Sequence, residues 1–144
     1  MKRIFAIAFG LLVSWGVFAS ETYDGIPQKF IGLVEKSEFH AAIDALYGNQ
    51  DSFDWSGPEG LATKNRFAKE MAVNGDCEFH ELLMEEKIGE RIVTLIYTMG
   101  MKERPVYLSI KLYKPENDWF ARSFSWNVDL SKLLDEQTVS KELK

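Results

Sequence analysis

Cysteine occurs once in this chain of 144 residues, histidine twice and proline four times. A lone Cys77 excludes an intramolecular disulfide, so stability has to come from packing. One cysteine with His40 and His80 falls short of the paired Cys or His ligands that zinc usually takes, and no metal or cofactor is expected. Basic residues are also few: 17 Lys and Arg stand against 22 Asp and Glu, a formal charge of −5. No basic patch with interleaved aromatics appears, and a phosphate backbone would be repelled, which excludes nucleic acid as a partner. Long apolar runs are lacking too. The longest, Ile4 to Val17, is shorter than the about 20 residues that cross a bilayer.

That run follows Lys2-Arg3, leads into Val17-Phe18-Ala19, and is succeeded by Glu21, Asp24 and Gly25. The pattern predicts a signal peptide over residues 1–19, cut after Ala19, rather than a retained anchor. The mature protein, residues 20–144, is then periplasmic or secreted and not membrane-spanning. Ser20, not a cysteine, stands directly after the cut, so no lipid is attached there, and the single Lys-Arg pair lacks a twin-arginine context. Loss of Lys2 and Arg3 takes the formal charge from −5 to −7.

With 46% hydrophobic and 27% charged residues, the remainder reads as one globular domain. Pro27 opens a short helix through Phe30, Ile31, Leu33 and Val34 to about Lys36. Ser37 is placed to cap a second, in which Phe39, Ala42, Ile43, Leu46 and Tyr47 recur at helical spacing before Gly48-Asn49. Residues 49–57 read as a polar loop or stunted hairpin holding Phe53 and Trp55. Pro58 starts a third helix, with Leu61, Ala68, Met71 and Ala72 along one side and Asn74-Gly75 at its end.

After Gly75 the period becomes two. Strands are predicted over Cys77–Lys87 and Glu90–Met99, joined at Ile88-Gly89, then over Val106–Tyr113 and Trp119–Val128. Val106, Leu108, Ile110 and Leu112 alternate with Tyr107, Ser109, Lys111 and Tyr113, so one face is aliphatic. In the last strand Trp119 and Ala121 fall out of step with Phe124 and Trp126, which predicts a β-bulge near Arg122-Ser123. Leu130, Leu133 and Leu134 suit a short docked helical turn. Three helices followed by an antiparallel meander give an α+β fold with the helices on one face of a curved four-stranded sheet.

This order, together with "EKIGERIVTLIYTMGMKERPVYLSIKLYKPENDWFARSFSW", resembles the nuclear transport factor 2-like, or cystatin-like, α+β superfamily, and within it a branch of small exported bacterial proteins. The similarity spans roughly residues 26–134. Its most specific part runs from Arg104-Pro105 through Tyr113-Lys114-Pro115 to Trp119, Phe124 and Trp126. Residues 49–57 are too short and polar for the full hairpin the superfamily usually places there. The resemblance implies a cone-shaped fold that often leaves a cavity, in members ranging from isomerases and dehydratases to non-catalytic binding and dimerisation domains.

The stretch "GDCEFHELLMEE", residues 75–86, looks most like chemistry. On a regular strand Cys77 and His80 point to opposite faces, so they share neither a metal nor a nucleophile–base bond. Cys77 therefore reads as a buried small hydrophobe. His80 reads as a polar group at the rim of the helix-covered side, and His40 as a boundary residue. Glu81, Glu85 and Glu86 read as a solvated face, and the 51–54 loop is too sparse in oxygen ligands for calcium. The candidate cavity wall is Leu46, Tyr97, Leu108, Ile110, Leu112, Trp119, Phe124 and Trp126, with His80 as its titratable member; the aromatics Tyr97, Tyr113, Trp119, Phe124 and Trp126 read either as ordinary core or as ligand-contacting wall.

No catalytic set is complete. The leading expectation is a non-enzymatic exported domain binding a small apolar molecule or an envelope protein. A lyase or isomerase of the ketosteroid-isomerase type is the alternative, needing His80 inside a cavity. A third reading is a pure interaction module, a homodimer formed through the outer sheet face around Tyr107 and Tyr113.

Overall fold

The computed structural model describes residues 22–48 and 50–135; the predicted signal segment and its cut lie outside them. A 3-10 turn at Tyr23–Gly25 leads into α1 (Ile26–Glu35), followed by α2 (Phe39–Tyr47) and α3 (Pro58–Ala72). Proline occupies the first turn of α1 and of α3, where its missing N–H costs nothing. Ser37 does not cap α2 as expected: it takes a positive φ of 60°, and Glu38 holds the cap position without a side-chain bond. In α3 the buried stripe is Gly60, Lys64, Phe67 and Met71, whereas Leu61 faces solvent. Lys64 is buried because its ammonium pairs with Asp44 of α2.

The strands β1 (Cys77–Ile88), β2 (Ile92–Met101), β3 (Pro105–Tyr113) and β4 (Phe120–Asn127) form one antiparallel meander in the order β1-β2-β3-β4. Gly89 takes the positive φ, 63°, that the first connection requires. The fold is α+β. A further helical stretch, residues 130–135, follows β4, so the helices are not confined to the N-terminal half. Its first turn is capped by Asp129, whose Oδ1 accepts bonds from the backbone N–H and the hydroxyl of Ser131, and Leu133 is buried.

Register assigns each side chain to a face. Val93, Leu95, Tyr97, Met99, Val106, Leu108, Ile110, Leu112 and Ala121 join Phe30, Ile31, Val34, Ala42, Ile43, Leu46, Phe67 and Met71 in one buried cluster on the helix side. Leu112 pairs with Ala121 and Lys111 with Ser123, which leaves Arg122 as the extra residue of the predicted bulge. The residues 50–57 form turns and no strand. They are anchored by Trp55, stacked on Tyr47 at 4.4 Å between ring centroids.

β1 is irregular. Its register slips between Cys77 and Phe79 and again between Leu82 and Met84. The first slip overturns the opposite-face reading. With Glu78 bulged out, Cys77 pairs with Met101 and His80 with Met99, and both partners belong to the helix-side core, so Cys77 and His80 share a face.

Candidate functional site

An aromatic knot ties α1, α2 and α3 to β4. Phe30 of α1 meets Phe124 at 5.1 Å between ring centroids, and Phe67 of α3 meets Phe124 at 5.1 Å and Trp126 at 5.0 Å. Phe39 adds an edge contact to Phe67 at 5.8 Å. Each separation lies in the favourable range for aromatic pairs. Leu46, Leu108, Ile110 and Leu112 are buried to 1% exposure or less in the surrounding core, and Tyr97 is buried beside them. The candidate wall residues thus divide three ways. Five are core, Phe124 and Trp126 belong to the knot, and Trp119 lies near the hairpin ends of the sheet, edge-on to Tyr23 at 5.0 Å.

His80 lies on the open rim rather than in an interior. It is exposed, and its Nδ1 pairs with the carboxylate of Glu35 at the end of α1. Cys77 is half-buried, not fully buried as expected, and its thiol contacts the carbonyl of Phe79 at 3.3 Å. Burial first, and then the negative charge of Glu35, push the Cys77 thiol above its ordinary pKa. That holds it protonated, the opposite of what a nucleophile or a metal ligand needs. Among the described residues no group of three His, Cys, Asp or Glu side chains is placed to hold a metal ion.

Hollows open on the surface instead. One of about 350 Å³ lies by the hairpin ends, between Tyr23, Lys87, Lys114 and Trp119, with the Lys114 ammonium 5.1 Å above the indole. An apolar one of about 230 Å³ lies by Ile92 and Tyr113. The two of most chemical interest adjoin each other on either side of Trp126, where α3 runs past β4.

In that place the indole is held from several directions. Phe67 packs on it from below, Arg66 places its guanidinium carbon 4.9 Å from the ring centre, and the indole N–H donates to Oε2 of Glu70. Arg66 and Glu70 are four residues apart on α3, which brings both to one helix face. On one side a hollow of about 250 Å³ is lined by Arg66, Glu70, Phe124, Ser125 and Trp126. On the other, a hollow of about 270 Å³ has Val73, Val106 and Val128 as apolar wall and Arg104 and Asn74 as polar wall.

Asn74 organises the second hollow. Only 2% exposed, it donates from Nδ2 to the Glu70 carbonyl at 2.7 Å and accepts at Oδ1 from Arg104 Nε at 2.7 Å. Its backbone carbonyl accepts from Glu103 N–H at 3.0 Å. One asparagine therefore ends α3, fixes the β2–β3 turn and orients a guanidinium. Sequence reasoning found Trp126 and Phe124 but missed Arg66, Glu70, Asn74 and Arg104. The spacing of Arg66 and Glu70 was visible, whereas the approach of Arg104 to α3 depends on the tertiary fold.

No family model matches the chain, and comparison with curated proteins and with solved structures finds no significant match. Among the described residues no helix is long and apolar enough to cross a membrane.

Proposed function

We propose that this chain is a non-enzymatic binding domain, exported to the periplasm or beyond, that engages an envelope protein on the open surface between α3 and β4. The observation that carries the reading is Trp126, held by Phe67, Arg66 and Glu70 yet bordering two hollows. A rigid amphipathic aromatic flanked by guanidinium groups has the composition of an interaction hot spot. The aromatic knot behind it favours surface binding over engulfment of a small apolar molecule. The ketosteroid-isomerase alternative needs a titratable group inside an apolar cavity, and His80 on its exposed rim does not supply one.

The resemblance to nuclear transport factor 2-like domains, with their cone-shaped sheet, is part of the same proposal. The α+β meander agrees with it at the coarse level, and many members bind without catalysing. Dimerisation through the outer sheet face has less support. Tyr107 and Tyr113 are separated there by Ser109 and Lys111, and β4 adds Ser123 and Ser125 beside them.

The test is a screen of short peptides and fragments against the isotope-labelled protein, read by backbone and indole amide shifts. Binders are expected to move residues 66–74, 104–106 and 124–128 together. Binders that move the core strands alone, or the hairpin ends around Trp119, would refute the assignment.

A further inference from the structure

The groove at Trp126 has the chemistry of a particular ligand, and we infer, on the basis of the binding-domain reading, that it takes the carboxyl end of a polypeptide whose last side chain is apolar. The hollow between Trp126 and Arg104 holds three kinds of group in one place. Val73 and Val128, 63% and 45% exposed, form an open apolar wall, and Val106, buried in the core, lies at its base. Arg104 offers a guanidinium. Its Nε is committed to Asn74, which is itself buried and tied to the end of α3, so the plane of the fork is set before any ligand arrives. The two terminal nitrogens remain to meet a carboxylate, the pairing in which two parallel N–H···O bonds give both strength and direction.

Glu70 is the third group, and it narrows the choice. Its Oε2 accepts the indole N–H, while Oε1 stays available as an acceptor beside the hollow. A simple fatty acid has nothing to donate there. The terminal residue of a polypeptide has its last peptide N–H one carbon away from the carboxylate, and it carries its side chain on that same carbon. The carboxylate goes to Arg104, the N–H to Glu70 and the side chain to the valines. The preceding residues have somewhere to go, because the adjoining hollow at Arg66, Phe124 and Ser125 continues along β4 past the indole. An open site also suits a ligand that must lead out of it, as a chain end does. Preorganisation of the fork and the indole lowers the ordering cost of binding.

The probe is N-acetyl-Ala-Ala-Leu-Val with a free carboxyl end, its C-terminal amide, and 3-methylbutanoate as a small acid lacking the peptide N–H. The protein is taken in the form the cell leaves it, and the Trp126 indole N–H resonance, assigned by Trp126→Phe, is the readout. The free-acid peptide is expected to shift that resonance saturably, with the amide and the small acid at least tenfold weaker. Arg104→Gln is expected to lose tenfold or more in a chain that stays folded, though with a lower melting temperature because Asn74 Oδ1 loses its partner, and Arg104→Lys to fall between. Equal binding of acid and amide, or indifference to Arg104→Gln, would overturn the inference while leaving a peptide-binding groove in place. Equal binding of 3-methylbutanoate would give the site to small free acids. Silence of the Trp126 resonance with all three probes would also overturn it, and shifts confined to other surfaces would remove the binding-domain reading as well.

Discussion

Tyr47 shows how much one buried hydroxyl decides. It stacks on Trp55 at the end of α2, and burial pushes its pKa from 10.0 up to about 12, against a smaller opposing effect of the Arg122 charge. Below pH 10 the folded and unfolded chains both keep the proton, and Tyr47 adds no pH dependence. Between 10 and 12 the unfolded chain releases it first, so stability falls as pH rises, by about 2–3 kcal/mol over the whole window. Urea midpoints of the natural protein and Tyr47→Phe, measured from pH 9 to 12, should differ by a constant up to pH 10. Beyond it the natural protein should lose ground. Parallel curves throughout would show the hydroxyl to be hydrated in the folded state.

Residues also show where the sequence was legible. The Arg122 bulge was, because Trp119 and Ala121 sit visibly out of phase with Phe124 and Trp126. The Glu78 bulge was not: Cys77-Glu78-Phe79-His80-Glu81 mixes polar and apolar side chains at both parities, so nothing marks the slip that puts Cys77 and His80 on one face. Alternation identified Leu108, Ile110 and Leu112 as inward. Whether an inward side chain lines a space or fills it depends on what comes from the opposite layer, here Phe30, Phe39 and Phe67. Phe67 lies outside the stripe that helical spacing predicts for α3 through Leu61, Ala68, Met71 and Ala72.

At the scale of elements, β1 and β2 are joined by an unusual pair. Phe79 lies opposite Gly100, and a Cβ built on that glycine would come within 2.1 Å of the Phe79 ring. The ring covers bare backbone on the outer face, which explains a glycine near the end of a buried strand and an aromatic that is still 54% exposed. Gly100→Ala should therefore push the ring aside and cost about 1 kcal/mol. In a Phe79→Ala background the same change should be neutral or stabilising, since alanine suits a strand better than glycine once the ring is gone. A double-mutant cycle in urea measures the coupling, and additive effects would contradict this packing.

Across the whole molecule, burial is uneven. β2 is buried along nearly its full length and β3 at every second residue, whereas the middle of β1 is exposed on both faces and bulged twice. Hydrogen exchange should follow. Amides of β2 that bond to β3 are expected to open only with global unfolding, and those around Leu83 to exchange through smaller fluctuations. Protection at Leu83 equal to that at Leu95 would refute this ordering. The α+β class and the strand order were legible because periodicity and turn residues are local properties. The groove at Trp126 was not, since its residues come from α3, the β2–β3 turn and β4.

The two rims of the sheet are unlike. β1 is bent twice and carries Glu78, Glu81, Glu85 and Glu86, while β4 presents Ser123, Ser125 and Asn127 with Arg122 as its one charge. A fibre of stacked sheets needs two adhesive rims per molecule, one to add and one to be added to. Among the described residues only β4 offers one. Should two copies meet strand to strand, β4 against β4, the product would end in an acidic, crooked β1 on each side and growth would stop there. Strand-to-strand growth beyond such a pair is disfavoured by the bends and the acidic charge of β1.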